Sequence, residues 1–529
     1  MNNTIVFLLL ATFSYLYNMF KGWNKDVVLI ILLGLLIRFA LMPYTQTVHA
    51  DAISRILNAE NWLKNPHYIL ADVWGPLSTY LYGFSIEFLG GKIYGPKIIN
   101  ILFASFTAYP LYWFSKNIFK TRIGALFVAA TYILTPIIIR NSFQALPAVT
   151  CAFFIASAMY HLSNYIKSKQ LKSVVFAGVL ITLAGALRYE AWVISFFLGT
   201  ILLIQKEYKS FFIFGLVAAI FPISWLIGNQ IVYDNWLYCF QYSSEWTINE
   251  LEPLANVSQS KMVKRLLFFP FSLMVVLSPL FFLLMLIIIP NSILKKRINK
   301  EQLLWLIPFL GLLIIYTYKA LSGSLLLQHK YSVTLILFIL PFFALFFKQT
   351  SKRSTFIALL ALALLIPSQF IYNAIPTQKI LPFSSKSISS INNLLKDASR
   401  ETAVIPKLSN PNFQLIVDAS NNQIEPNDGV ILDFLGWENT YYYALNSRKQ
   451  PFIIRGNKKA KINTEQLNKY LTKYPNGLVT ANGLGKLKVS ITKNTQSIQI
   501  PKIKHLLKLT LVKEIDGFRL YRYKTEVTL

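Results

Sequence analysis

The chain has 529 residues but only two cysteines, Cys151 and Cys239. The first lies in an apolar run and the second in a polar stretch, so neither a disulfide nor a cysteine metal site is expected. Acids are scarce, with 23 Asp and Glu against 52 Lys and Arg. No Asp-x-Asp pair occurs, which removes the usual metal motif for a nucleotide sugar. His49, His67, His161, His329 and His505 show no metal-ligand spacing. No GxGxxG follows a strand and no Walker A sequence is present. "GLGK" at Gly483–Lys486 lacks the upstream glycine and reads as a turn. There is no internal repeat and no low-complexity tract. No nucleotide-dependent chemistry is visible, so an activated substrate is expected to arrive through the membrane.

Apolar residues are abundant. The chain is 54% hydrophobic, its mean hydropathy is +0.46, and several runs reach the roughly 20 residues that cross a bilayer. This predicts an α-helical polytopic membrane protein. The net charge of +29 fits Lys and Arg gathered in short cytoplasmic loops and does not point to nucleic acid. Apolar spans fall near 4–20, 27–45, 97–115, 123–139, 143–163, 172–187, 190–204, 209–229, 266–290, 302–319, 330–347 and 354–373, about 11–13 membrane helices in all. The first reads as a retained helix, since no positive n-region or small-residue cleavage site accompanies it.

The connectors sort by charge. "KGWNK", "KNIFKTR", "KSKQLK", "QKEYK", "KKRINKEQ" and "KQTSKR" are short and basic, hence cytoplasmic. They agree with one another only if 44–96 is one outward loop. Within it, "GPLSTYLYGFSIEFLGG" is too short to span and reads as an interfacial helix. Loop 230–265 and the C-terminal region then also face outward. Residues 1–375 form the membrane domain. From about Pro376 polar residues rise and long apolar runs stop. "FQLIVDA", "GVILDFLG", "PFIIRG", "GLVTA" and "GFRLYRYK" read as strands, and "SISSINNLLKDAS" and "TEQLNKYLTKY" as helices. Residues 376–529 are therefore expected to form an extracytoplasmic α/β domain.

The candidate chemistry sits on the outward side. In "VHADAISRILNAENWLKN", Ile53, Ile56, Leu57 and Leu63 make a partial apolar stripe, expected to lie against the membrane interface, while Asp51 and Arg55 lie one turn apart on another face. Asp51 is either a solvated charge at a helix N-terminus or a general base at the membrane boundary. Asp72, before Gly75 and Pro76, either caps the following helix or is a second acid of the site. In "ALRYEAW", Arg188 and Glu190 interrupt two short apolar runs, and charges at that depth usually face a partner or a cavity. Tyr189 stands between them. Arg140 ends "TPIIIR", and His329, Lys330 and Tyr331 open another span. One acid and several cations on one membrane face suit a phosphate-bearing lipid headgroup.

Those residues carry a resemblance. Over about residues 27–350 the chain resembles GT-C integral-membrane glycosyltransferases, the group containing protein O-mannosyltransferases and the lipid A aminoarabinose transferase. Asp51 stands where that family carries its catalytic Asp, in the first outward loop. "WGPLSTYLYGF" from Trp74, "NIFKTRIGALFVAATYILTP" from Asn117 and "HKYSVTLILFILP" from His329 are similar to its other signatures. Arg188 stands where relatives place a basic residue against lipid phosphate. The chain departs from the pattern at Ala52, where an acid is frequent, at Asp72, displaced by one position, and in the neutral "NSFQALP" after Arg140.

The resemblance implies a GT-C fold and transfer of a sugar from a polyprenyl-phosphate donor to a hydroxyl of a lipid, glycan or protein acceptor. It implies inversion at the sugar C1, with Asp51 as base and Asp72 as further acid. Arg55, Arg140, Arg188, Tyr189, Glu190, His329, Lys330 and Tyr331 would bind substrate. No cofactor is required, and a divalent cation at Asp51 stays open. The implied location is the plasma (inner) membrane, with the catalytic loop and C-terminal domain outside. Two other readings stand beside this one. A transporter or flippase of lipid-linked sugars needs polar residues distributed along its helices, whereas here the charges gather at the two faces. A non-catalytic scaffold would tolerate loss of Asp51 and Arg188.

Overall fold

The computed structural model describes residues 24–46, 49–248, 259–277, 279–347, 355–365, 404–433, 435–454, 462–483 and 485–527. The expected helices at 4–20 and 387–399, and the domain boundary near 376, lie outside these residues. Among the described residues five helical stretches are long and apolar enough to cross a membrane: Lys25–Tyr44, Gly91–Phe119, Tyr208–Tyr233, Lys300–Leu321 and His329–Phe347. Two bent pairs raise the number to seven, and Leu171–Gly185, Glu190–Ile204 and Thr355–Leu365 are shorter apolar helices beside them. The outer faces are apolar as well. On Tyr208–Tyr233, Leu216, Ile220, Ile223, Ile227 and Ile231 are all exposed, Leu216 by 73%. A helix of 26 residues with such a stripe is about 39 Å long and needs lipid around it. The protein is a multi-pass membrane protein.

The expected single span at 123–139 is broken. Arg122–Leu134 and Pro136–Ser142 meet at 53°. Pro136 has no N–H and disfavours helix at the residue before it, so carbonyls at the break need another donor. Arg38 supplies it from inside the bundle. Its side chain is wholly buried, and donates to Ile133 O at 2.8 Å, Ser142 Oγ at 3.1 Å and Gly34 O at 3.1 Å. A charge at membrane depth is thus explained by backbone repair. The run at 266–290 also divides, into helices meeting at 111°.

The C-terminal domain is built on a six-stranded sheet of order β2-β1-β3-β6-β5-β4. Its strands are β1 Gly429–Asp433, β2 Phe452–Ile454, β3 Asn476–Ala481, β4 Thr495–Gln499, β5 His505–Ile515 and β6 Phe518–Val527. β1 pairs parallel with β2 and β3, and the β3–β6, β6–β5 and β5–β4 pairs are antiparallel. One expectation is corrected: "FQLIVDA" is not a strand but opens the helix Phe413–Gln423. Its buried residues Phe413, Ile416, Val417 and Ser420 follow helical spacing, which a seven-residue window cannot separate from a buried strand. Helix Trp437–Asn446 and strands β4 and β5 were not anticipated. β4, "TQSIQ", is a polar edge strand whose residues are largely exposed.

The domain docks on the membrane part through the helix Ala50–Lys64. Ala52, Ile53, Ile56 and Ala59 are at most 2% exposed and share one apolar cluster with Phe413, Tyr442 and Leu445. Helix Trp437–Asn446 packs directly on this helix. Gln46 joins the same contact: its N–H donates to Pro406 O at 2.8 Å, and its Oε1 accepts from Leu408 N at 2.7 Å. Ile53, Ile56 and Leu57 of the stripe expected to lie on the membrane interface are therefore turned to the C-terminal domain, while Leu63 lies by Gly83 of the next helix. A half-apolar helix needs an apolar surface, and sequence alone does not say which one it finds.

Candidate active site

Asp51 lies in the first turn of helix Ala50–Lys64. His49 is the N-cap, and its Nδ1 accepts from Asp51 N at 3.2 Å. An accepting Nδ1 is unprotonated. Burial first, and then the charge of Lys330, lower the His49 pKa to about 3. The 3.8 Å approach of His49 Nδ1 to Asp51 Oδ2 is thus not an ion pair. The pairing cation is Lys330, whose Nζ donates to Asp51 Oδ2 at 2.8 Å. Burial works against the Asp51 carboxylate, but Lys330 outweighs it, with His49 and Arg55 adding to the effect, and holds the carboxyl well below its usual range. The Asp51 side chain keeps 41% of its surface exposed, so the carboxylate is within reach of an incoming group.

One turn on, Arg55 stacks its guanidinium over the Trp74 ring at 4.2 Å and donates to Ser78 Oγ at 2.8 Å. Arg55 thereby ties the loop helix to the turn 72–77. Asp72 does not cap the helix Leu77–Phe88, whose N-cap is Pro76 without a side-chain bond. Its Oδ1 accepts from Val73 N at 2.6 Å instead. Burial raises its pKa, against the hydrogen bond from Val73 and the charge of Arg55.

The same turn is pressed on the segment carrying Arg188. Leu77 N donates to Ala186 O at 3.2 Å, and a Cβ on Gly75 would come within 2.3 Å of that oxygen. Only glycine allows this approach. Tyr189 O–H donates to Val73 O at 2.9 Å and accepts from Trp225 Nε1 at 3.1 Å. Arg188 is forked on Glu190 through Nε and NH2, with 11% and 19% of the two side chains exposed. Its guanidinium lies over the Tyr331 ring at 5.2 Å, and Tyr331 follows Lys330.

Asp51, Arg55, Lys330, Tyr331, Arg188, Glu190, Tyr189 and Asp72 therefore share one neighbourhood. Arg140, 7% exposed, lines a small cavity with His49 and Lys330. His329 is not brought to Asp51. It is buried, with Nδ1 2.8 Å from Ser272 Oγ and its ring stacked on Phe268. Sequence reasoning missed His49, Trp74, Ser78, Asn141, Gln144 and Gln328. The signal for His49 was its place just before the helix, where a side-chain acceptor is favoured.

Among the described residues no group of three or more His, Cys, Asp or Glu is placed to hold a metal ion. At Asp51 the Lys330 ammonium already stands against Oδ2, and the nearest histidine accepts a backbone N–H through Nδ1. A divalent cation at Asp51 would have to draw its remaining oxygen ligands from water and substrate phosphate.

No family model and no curated protein matches the chain. Solved structures do. ArnT from Cupriavidus metallidurans bound to undecaprenyl phosphate is 10% identical, with a TM-score of 0.63 over 95% of this chain and 98% of that one. Its apo form is 11% identical over the same shares, also at 0.63. The Archaeoglobus fulgidus oligosaccharyltransferase in complex with Zn and sulfate is 13% identical, with a TM-score of 0.50 over 85% of this chain and 67% of that one. The helical membrane part and the C-terminal mixed sheet together make this chain a GT-C fold.

Proposed function

We propose that the protein transfers a sugar from a polyprenyl-phosphate carrier to an acceptor hydroxyl at the extracytoplasmic face of the plasma membrane. The observation that carries this is the Asp51–Lys330 pair, set among Arg55, Arg188 and Tyr331 on a GT-C fold. Asp51 accepts the proton of the acceptor hydroxyl. The hydroxyl oxygen attacks the sugar C1 from the face opposite the phosphate, and the C1–O bond breaks with its electron pair passing to the phosphate. The configuration at C1 inverts. Lys330, Arg55 and Arg188 stabilise the charge that grows on the departing phosphate. Undecaprenyl phosphate bound in the ArnT structure supports a lipid phosphate as leaving group. The basic connectors support the outward orientation.

The lipid, glycan or protein that receives the sugar meets it beside the C-terminal domain, which packs on the back of the helix bearing Asp51. The test is transfer by the full chain in nanodiscs, with radiolabelled polyprenyl-phosphate sugars and a cell-envelope extract. Wild type should transfer label, and Asp51→Asn, folded, should lose about 10³-fold or more. Equal transfer by both moves the base away from Asp51, and Asp72→Asn is then the variant to measure. Passage of labelled lipid across proteoliposomes with no transfer would replace the enzyme with a flippase.

A further inference from the structure

One polar cluster adjoins these steps and shares only Lys330 with them. Beside Asp51 lies a cavity of about 20 Å³, room for a single water-sized group. His49, Arg140, Asn141, Gln144, Gln328 and Lys330 line it. Asn141 is 3% exposed and Gln144 2%. The Nδ2 of Asn141, the Nε2 of Gln144 and the Oε1 of Gln328 are buried with no hydrogen-bond partner among the described residues. Buried amides are normally paired, and unpaired ones call for an explanation.

The backbone that carries them is pinned. Asn100 Nδ2 donates to Gln144 O at 2.6 Å and Leu146 O at 3.2 Å, and Thr150 Oγ1 donates to Asn100 Oδ1 at 2.9 Å. Arg38 holds Ser142 from the other side. The chain positions that carry the two amides are therefore held beside the cavity. Lys330 belongs both to this cavity and to the Asp51 pair, so the cavity adjoins the reacting carboxylate.

We propose that the cavity is a hydroxyl-reading subsite, in which Asn141 and Gln144 donate to one sugar hydroxyl and Gln328 accepts from it. The proposal rests on the glycosyl-transfer reading above and names the group recognised there. Two donors and one acceptor match a hydroxyl, which both donates and accepts. A carboxylate or phosphate oxygen only accepts and would leave Gln328 unpaired. An ammonium only donates, and it would face the charges of Arg140 and Lys330. A sugar carrying a free amine at this position is therefore rejected. The hydroxyl belongs either to the donor sugar or to an acceptor sugar, and the chemistry is the same for both.

The experiment uses the full chain in nanodiscs. Polyprenyl-phosphate hexoses and their monodeoxy and amino analogues serve as donors, and simple glycosides with their deoxy forms as acceptors. Donor binding is followed by native mass spectrometry alongside transfer, so loss of one readout does not remove the other. With wild type, removing one particular hydroxyl should lower binding or kcat/KM about 10–100-fold, and amine replacement should lower it at least as much. Asn141→Leu and Gln144→Met should each erase most of that ratio. If the ratio lies in the donor series, the donor supplies the hydroxyl; if it lies in acceptor KM, the acceptor does. Binding with the same deoxy ratio but no transfer would keep the subsite and overturn the transfer reading. Equal behaviour of every analogue with wild type would overturn the subsite and leave a cavity that holds a structural water only. The wild-type arm needs no variant, so an unfolded variant does not block the answer.

Discussion

Lys330 Nζ stands 2.8 Å from Asp51 Oδ2, closing an ion pair between residues 279 positions apart. The carboxylate proposed as base is thus held by a cation that the proposed chemistry also needs at the phosphate. Donor binding would draw Lys330 toward the phosphate and loosen its hold on Asp51.

That relationship sets the pH behaviour of the reaction. Asp51 is held ionised, its pKa depressed chiefly by Lys330 against burial, so it should add no acid limb to the rate between pH 5 and 8. Lys330→Met removes the main lowering influence and leaves burial, which raises the pKa. Transfer should fall about 10–100-fold, and an acid limb should move up toward the ordinary carboxylate range. A pH–rate profile of the two proteins measures both. An unmoved limb would show that the pair does not govern Asp51.

His49 should mark its presence in stability. Its pKa is lowered to about 3 in the fold, against about 6.5 in an unfolded chain. Below about pH 6.5 the unfolded chain takes a proton that the folded one refuses, so stability falls as pH drops from 6.5 toward 3. Melting temperature should decline between pH 7 and 5, and His49→Gln should make that decline shallower. The same slope in both proteins would exclude a neutral buried His49.

Arg188 and Glu190 should be separable by a double-mutant cycle. Arg188→Met leaves Glu190 buried without its partner, which costs about 3–5 kcal/mol. Arg188→Met combined with Glu190→Gln should restore most of the lost melting temperature but not donor binding. Recovery of both would remove Arg188 from the phosphate site.

The docked helix offers a test at a distance from the chemistry. Ile56 is 2% exposed between the helix that bears Asp51 and the C-terminal domain. Ile56→Ala should cost about 2–5 kcal/mol, and Ile56→Asp should undock the domain, visible as new proteolytic cuts near residues 404–412. Transfer should drop with undocking although no reacting residue has changed. Full activity in a cleavable Ile56→Asp protein would show that the docking does not position Asp51.

Much of the candidate site could be read from the residues. Asp51, Arg55, Arg188 and Lys330 stand out because charges beside apolar runs are costly and need a reason. Arg38 carries the same signal, but its reason is the broken helix at Pro136, which no pattern around Arg38 itself reveals. Asn141 and Gln144 were passed over as neutral residues after Arg140. Their burial without partners arises from the pinned turn around them and not from their identity. "FQLIVDA" was misread because seven residues hold too little of either period to choose between strand and helix.

The sequence by itself determined the membrane character, the short basic connectors, the mixed C-terminal domain and the charged residues available for chemistry. These follow from composition and short-range periodicity, which need no partner to be visible. Only the tertiary structure decided that Lys330 pairs with Asp51, that His329 turns away to Ser272, and that the apolar face of the helix Ala50–Lys64 meets the C-terminal domain. Each is a choice among surfaces and partners far apart in the chain. Such choices are made when the whole fold brings them within a few ångströms, where burial and charge can act.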